Sequence, residues 1–549
     1  MSESKQDSAH EPDRTRGPAS EGVGQGEQVA VARRAGLVAV GTLSSRVLGA
    51  VRDSVIAAYF TKGATDAWWA AFTIPNALRS LLAEGAVGSA FVPVFAEVRA
   101  KEGLERARQF YSGLVGVMLV ILSAVTLVGM VATRGIVTLY SAGFQHDAAK
   151  FDTTVTLTRI VFPYIFFMGV AALGMGVLNA MKRFFVPAVA PGLLNVPMIA
   201  APWVFVPLAI AFGLPPVISL AFGALVGGLL QVIAQFPALK SIGMLNIPRF
   251  AFSDPYVRKA LRLMAPLLIG LGIYQVNLIL SRQMLSYLPE GATSYFNYGS
   301  RMVDIPQGVF ALALASATLP SLAAMRNRGE HAEVKKLFGY ALRLSLFVAV
   351  PATALLVVLA APTCTVLYAR GEFGILEVHE TARSLVWQAG GIWAVASVRM
   401  VVPMFYAYND TKTPVLCSTI NLIVFGSVSL LLMKPMQHAG IAVGLTAGNT
   451  AHLLAAVLLL RRKSGRLGLK TVAVSLLRIL ISAAAMSAAA YGVARLADWE
   501  RGGNNLLNIA VYVAALVVSA VVYFAVARVL RSPEVSELLA ALRRRRTPR

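Results

Sequence analysis

Charge is scarce in this chain, and negative charge is scarcest. Of 549 residues only 14% are Asp, Glu, Lys or Arg, and 27 acidic residues stand against 50 basic ones, for a formal net charge of +23. With 57% hydrophobic residues and a mean hydropathy of +0.66, the composition excludes an ordinary soluble globular protein. Only two cysteines occur, Cys364 and Cys417, which excludes a disulfide framework or a thiolate metal cluster. The six histidines include no close pair, which argues against a metal centre. A P-loop, a paired-Asp motif and a His/Glu cluster are all missing, and the polar links are too short for a nucleotide-binding domain. A membrane glycosyl- or phosphoglycosyl-transferase is disfavoured on those absences. No apolar h-region follows Met1, so residues 1–34 are expected to form a disordered cytoplasmic tail rather than a cleavable signal.

Long apolar runs dominate what remains. Windows of about 20 apolar residues recur along nearly the whole length, each closed by a short polar or Pro/Gly-containing link. They predict an all-α integral membrane protein of about fourteen transmembrane helices. Lys and Arg concentrate in alternate links, among them Arg99/Lys101, Lys182/Arg183, Arg326/Arg328 and Arg461/Arg462, while Lys62, Arg134, Arg370 and Lys434 are sparse on the other side. The positive-inside rule then places both termini in the cytoplasm. The +23 balance is therefore a topology signal and implies no nucleic-acid partner; the terminal run Arg543 to Arg546 is expected either to lie solvated or to touch anionic membrane lipids.

Self-comparison adds an internal repeat. Pro93 and Pro320 both open a P-x-[FL]-A-x-x-R pattern, and Pro187 and Pro414 both follow a basic link; each pair is separated by 227 residues (320 − 93 and 414 − 187). Six spans per unit predict two parallel six-helix repeats around a central cavity, residues 35–240 and 256–465. Two extra C-terminal helices (470–531) and a basic tail (532–549) follow. Small-residue stripes at Gly440, Gly444 and Gly448, and at Gly223 and Gly227, predict close helix packing.

Against this apolar background the charged residues inside the spans stand out. The first span carries Arg46, Arg52 and Asp53; the second carries Asp66, Arg79 and Glu84, interrupted by Pro75; the eighth carries Arg301 and Asp304, followed by Pro306. Each charge at a helix centre costs about 2.5–3.5 kcal/mol to insert. Salt bridges are one reading: Arg301 with Asp304 at i,i+3, and Arg46 or Arg52 with Asp53. The excess of arginine at comparable places in two repeats favours a water-filled cavity lined by guanidinium groups, whose planar fork suits phosphate. Arg159, Arg282, Arg383 and Arg399 are weaker cavity candidates, because they are as suited to snorkelling or local pairing.

The runs "SSRVLGAVRD", "ATDAWWAAFTIPNALRSLLAEGAVGSAFVPVFAE", "FPYIFFMGVAALGMGVLNAMKRFFVPAVAPGLLN", "GSRMVDIPQGVFALALASATLPSL" and "FYAYNDTKTPV" resemble the MurJ (MviN) lipid II flippase family. The resemblance covers nearly all of residues 35–530. It implies membership of the multidrug/oligosaccharidyl-lipid/polysaccharide exporter superfamily, two lobes around a cavity, and a last helix pair that helps form a groove for a polyprenyl tail. It further implies lipid II as cargo, with Arg46, Arg52, Arg79 and Arg301 binding it, Asp53, Asp66, Glu84 and Asp304 supporting or gating, and Pro75 and Pro306 bending their helices. The implied location is the bacterial cytoplasmic membrane, with cell-wall synthesis proteins as candidate neighbours. Ser80 stands where relatives often have a second basic residue, and Thr73 where some have lysine. A sodium site of one relative, between the seventh and eleventh helices, is not reproduced: Asn277, Ser281 and Arg282 offer no carboxylate. No cofactor is implied, and the coupling ion is not readable. The rival cargoes are another polyprenyl-diphosphate glycan or, through cation-coupled antiport, a drug. A drug antiporter would favour acidic and aromatic lining residues over four arginines.

Overall fold

A computed structural model of the chain describes residues 41, 44–307, 325, 328, 330–408, 410–465, 467–500 and 503–537. Among them the structure is helical, with one isolated β-bridge between Arg370 and Phe373 and no strand. The expected N-terminal tail, the Pro320 end of the repeat and the run Arg543 to Arg546 lie outside the described residues.

Ten helical stretches among the described residues are long and apolar enough to cross a membrane. The expected first, second, seventh and eighth spans do not reach that standard. In their places stand a helix at 44–59, the helix Lys62–Ser80 running into the π-helix Leu81–Phe91, the pair Pro255–Tyr274 and Val276–Ser286, and the helix Ala292–Pro306. Three of the four carry the ionisable residues singled out above, and the other carries Arg282. The first and eighth also extend beyond the described residues. Segments that face polar surroundings are less apolar than those that face lipid, so the count of fourteen stays an expectation.

Packing follows the small residues. A Cβ at Gly444 would come within 3.0 Å of the Phe425 carbonyl oxygen and the Ser429 amide, and one at Gly448 within 2.9 Å of the Asn421 carbonyl, so the helices Lys412–Met436 and His438–Ser464 approach backbone to backbone. Gly227 faces Leu194 in the same way, 2.8 Å from its Cα. Gly444→Val is therefore expected to destabilise the protein by about 1–3 kcal/mol through overpacking. A lower thermal midpoint of the detergent-solubilised protein would register it. Gly339→Ala, whose Cβ would meet nothing within 4 Å, serves as the control and should leave the midpoint in place.

The last two helices, Leu469–Ala494 and Leu506–Val529, lean on the second half of the molecule. Tyr523 donates to the Phe347 carbonyl at 2.7 Å, and the Thr363 and Tyr512 hydroxyls meet at 3.1 Å. Beyond them Glu534 is fully buried; it accepts from Ser475 and Ser532, each at 2.6 Å, and pairs with Arg343 at 3.3 Å. The start of the expected tail, residues 532–537, is thus packed, because a buried carboxylate needs this set of donors. Both cysteines are buried and free.

Candidate functional site

The first helix, the second helix and the helix Ala292–Pro306 converge on one cavity of about 900 Å³. Arg46, Arg52, Arg79 and Arg301 all line it, joined by Arg399. Against these five arginines stand two acids, Asp53 and Asp304, so among the described residues the lining has a formal excess of three positive charges. Asn76, Tyr164, Asn179 and Gln231 add neutral polar groups.

Arg52 and Asp53, both buried, form the centre. The Nε and Nη2 of Arg52 donate to Asp53 Oδ1 at 2.9 and 2.7 Å, and its Nη1 donates to Asn195 Oδ1 at 3.0 Å. The other Asp53 oxygen lies 3.5 Å from Arg301 Nε. One carboxylate therefore stands between two guanidinium groups, one from each half of the chain, and the trio keeps a net positive charge. Of the two pairings open to Asp53 on its own helix, the structure selects Arg52. The expected ion pair of Arg301 with Asp304 gives way to Arg301 with Asp53. Arg46 instead donates to the backbone carbonyl of Asp304 at 3.2 Å, and the Asp304 side chain stays exposed at the cavity. Arg79 donates through Nε to Asn76 Oδ1 at 3.1 Å, one turn back on its own helix.

Asn195 was not foreseen as part of the site. It begins the helix Asn195–Ala211, just after the 3-10 segment Ala190–Leu194 breaks the fifth expected span. The prolines at 187, 191 and 197 are the sequence signal of that break. Among the weaker arginine candidates only Arg399 lines the cavity. Arg383 pairs with Glu380 at 3.3 Å, and Arg159 is exposed. Pro75 lies within Lys62–Ser80, shortly before the π-helix, and Pro306 ends the described part of its helix. The Glu84 side chain lies outside the described residues.

Asp66 belongs to a different structure. Expected in the cavity, it lies off the lining, toward the end of the molecule that carries Lys62 and Arg370, and only 1% of it is exposed. Its Oδ2 accepts from Lys150 Nζ and the Gly291 amide, both at 2.7 Å; its Oδ1 accepts from the Ser294 amide and hydroxyl, both at 2.8 Å. Gly291, at φ 95°, supplies the left-handed turn that opens the helix Ala292–Pro306, and the carboxylate sits on that helix's free amides. A fully desolvated carboxylate is stable here because its four accepted bonds replace its water.

The halves also meet at the opposite end, where Lys259 pairs with Glu97 at 2.6 Å, and further contacts join them at the Asp66 end. Thr65 and Ser294 hydroxyls meet at 2.7 Å, the Glu372 amide donates to Ala58 O at 2.9 Å, and Ser54 donates to Leu367 O at 2.6 Å. Between this latch and the cavity lies an aromatic seal: Trp68 stacks on Phe72 at 5.0 Å, and Tyr298 packs on Tyr368 at 4.8 Å and edge-on to Phe373 at 5.5 Å. At its other end the cavity reaches Asn179 and Phe184, which flank the Lys182–Arg183 link.

The seventh and eleventh expected spans meet through neutral amides. Asn277 donates to Asn421 at 3.0 Å, and Asn421 donates to Asn449 at 3.1 Å. Arg282 lies close by in sequence on the Asn277 helix, and among the described residues no group of three His, Cys, Asp or Glu could hold a metal ion. An amide chain of this kind offers neutral oxygens and no carboxylate of the sort a hard cation prefers.

A helical membrane protein with a cationic cavity set between two halves has the architecture of a membrane transporter. Its fold resembles solved transporters. It matches a structure described as "Lipid II flippase MurJ, inward closed conformation" with a TM-score of 0.73 at 22% identity, over 90% of this chain and 99% of that one. It matches an inward-facing multidrug resistance MATE family transporter of the MOP superfamily with a TM-score of 0.64 at 15% identity, over 77% and 95%. The sequence model of the family described as "Lipid II flippase MurJ" matches residues 56–532. A probable lipid II flippase MurJ of Bdellovibrio bacteriovorus is 33% identical over 518 residues, 92% of this chain and 96% of that protein. The lipid II flippase MurJ of Burkholderia cenocepacia is 34% identical over 427 residues, 77% and 82%. The chain belongs to the MurJ lipid II flippase family.

Proposed function

We propose that this protein is a lipid II flippase of the bacterial cytoplasmic membrane, carrying undecaprenyl-diphosphate-linked disaccharide-pentapeptide from the inner to the outer leaflet by alternating access. The observation that carries the reading is the arginine-lined cavity, about 900 Å³ in volume, with the buried Asp66 latch beyond one end of it. By the positive-inside rule the Lys182–Arg183 end faces the cytoplasm, the latch faces outward, and both termini are cytoplasmic. In this inward-facing arrangement the diphosphate binds between Arg52 and Arg301, with Arg46 and Arg79 nearer the polar head. Guanidinium forks hold phosphate oxygens through paired hydrogen bonds and keep their charge at every physiological pH. Asp53 holds both central arginines apart until the cargo supplies stronger acceptors, and it takes them back after release. The prenyl tail stays in lipid, against apolar surface such as Leu477, Leu480 and Val517 on the last two helices. Pro75 and Pro306 allow their helices to bend as the halves rock. The protein acts as a carrier, with no catalytic step. Cell-wall synthesis proteins that consume the cargo outside are its candidate neighbours.

The test uses spheroplasts depleted of their own flippase. Expression of this protein is expected to restore lipid II at the outer leaflet to an impermeant probe. No recovery despite correct membrane insertion would overturn lipid II as cargo and point to another polyprenyl-diphosphate glycan.

A further inference from the structure

Arg282 is the buried cation that this transport reading leaves unused. Its helix, Val276–Ser286, lies along the seam between the halves: Gln283 accepts the Ala142 amide and Ser286 the Gly143 amide, each at 3.0 Å. Arg282 is 7% exposed, and its Nη2 donates to Asn297 Oδ1 at 3.0 Å. Its Nε and Nη1 are buried without an acceptor, as is Asn297 Nδ2. Among the described residues no carboxylate lies within ion-pair distance of it. Three unpartnered donor nitrogens and a positive charge without an ion-pair partner among the described residues therefore meet at one place. Such a set is costly inside a membrane protein and calls for an anionic acceptor.

The position is as informative as the chemistry. Ser294, Asn297, Arg301 and Asp304 form one stripe of the helix Ala292–Pro306, spaced three, four and three residues apart. Ser294 holds the latch, Arg301 faces Asp53 at the cavity, and Asp304 receives Arg46 near the mouth. Asn297 with Arg282 lies between, about 6 Å along the axis from Arg301 toward the latch. The cationic lining thus continues past the end of the cavity into the closed seam.

We propose that Arg282 and Asn297 form a second anion subsite, exposed only when the latch opens, which takes the diphosphate from Arg52 and Arg301 on the outward-facing side. The proposal rests on the flippase reading above. A guanidinium group in this place gives the phosphates a partner further along the path once the inner arginines return to Asp53, and the seam shields it while the protein faces inward.

Inorganic pyrophosphate binding to purified protein tests it, in the wild-type background and in a released one. The released background is Asp66→Asn or, where that alone leaves Thr65→Cys labelling unchanged, Asp66→Asn with Tyr298→Ala, its opening verified by faster maleimide labelling of Thr65→Cys. In the released background Arg282→Gln is expected to weaken binding about tenfold, the loss of a charged hydrogen-bond pair. In the wild-type background it should shift binding less than about twofold. Asn297→Asp keeps the packing, offers Arg282 a carboxylate, and is expected to give the same pattern even if Arg282→Gln does not fold. Equal losses in both backgrounds, or no loss in the released one, overturn the subsite. Wild-type binding that does not depend on Arg52 would instead sink the cavity reading, and Arg282-dependence in the released background would still stand.

Discussion

Arg52→Ala is expected to lower the appearance of lipid II at the outer leaflet by about two orders of magnitude, with the variant present in the membrane at wild-type level. The alanine removes two bonds to Asp53 and one to Asn195 in a single step. Hydrogen bonds to a charged partner contribute about 1.5–3 kcal/mol each. If the cargo diphosphate takes over even two of them in the step that limits transport, the loss corresponds to about two to four decades in rate. The variant also leaves Asp53, 2% exposed, facing Arg301 at 3.5 Å, so the carboxylate then competes with the cargo for that guanidinium. Arg52→Lys separates charge from geometry. A single ammonium cannot span Asp53 and Asn195 as the planar fork does, so an intermediate rate is expected, well below wild type. The impermeant-probe assay on the three proteins decides the matter. A lysine variant at the wild-type rate would mean that charge alone suffices and that the fork is incidental.

The arginines at 46, 52, 79 and 301 were legible because a guanidinium group in an apolar run has a large insertion cost, which is visible without coordinates. The glycine stripe at 440, 444 and 448 was legible for a similar reason: small residues four apart on an apolar helix have few other uses. What the sequence did not reveal was partnership. Arg301 and Asp304 have the spacing of an ion pair, yet Asp53, 248 residues before Arg301, lies closer to it because two halves of the chain fold together around the cavity. Asn195 joins the lining for the same reason; it is distant in sequence and unremarkable in type, whereas Arg399 was already a weaker candidate that the cavity takes in. Asp66, expected among the cavity acids, lies off the lining. Nothing local tells a carboxylate that lines water from one that caps the amides of Gly291 and Ser294 more than two hundred residues away.

That placement makes Asp66→Asn the second large expected effect, and it reports on the conformational cycle. The carboxylate accepts four bonds, three of them from Gly291 and Ser294 in the other half and one from Lys150. An asparagine has one oxygen in place of two and turns a donor toward groups that are themselves donors. Losing a single charge-assisted bond, about 1.5–3 kcal/mol, moves a two-state equilibrium by roughly tenfold or more. The latched state is therefore expected to lose its dominance, and the Lys62 end should open. Thr65 is the place to detect it: it is 2% exposed and faces the Ser294 hydroxyl across the seam, and both native cysteines are buried. A Thr65→Cys reporter should react with an externally added, membrane-impermeant maleimide about tenfold faster when Asp66→Asn is also present. Lipid II transport should fall in the same protein, because a carrier that rests outward-facing no longer presents Arg52 and Arg301 to the cytoplasm. An unchanged labelling rate would mean that the aromatic seal of Trp68, Phe72, Tyr298 and Tyr368 holds the outer side shut by itself. The bonds to Asp66 would then stabilise the fold without biasing the cycle, because a contact can shift an equilibrium only by as much as it differs between the two states.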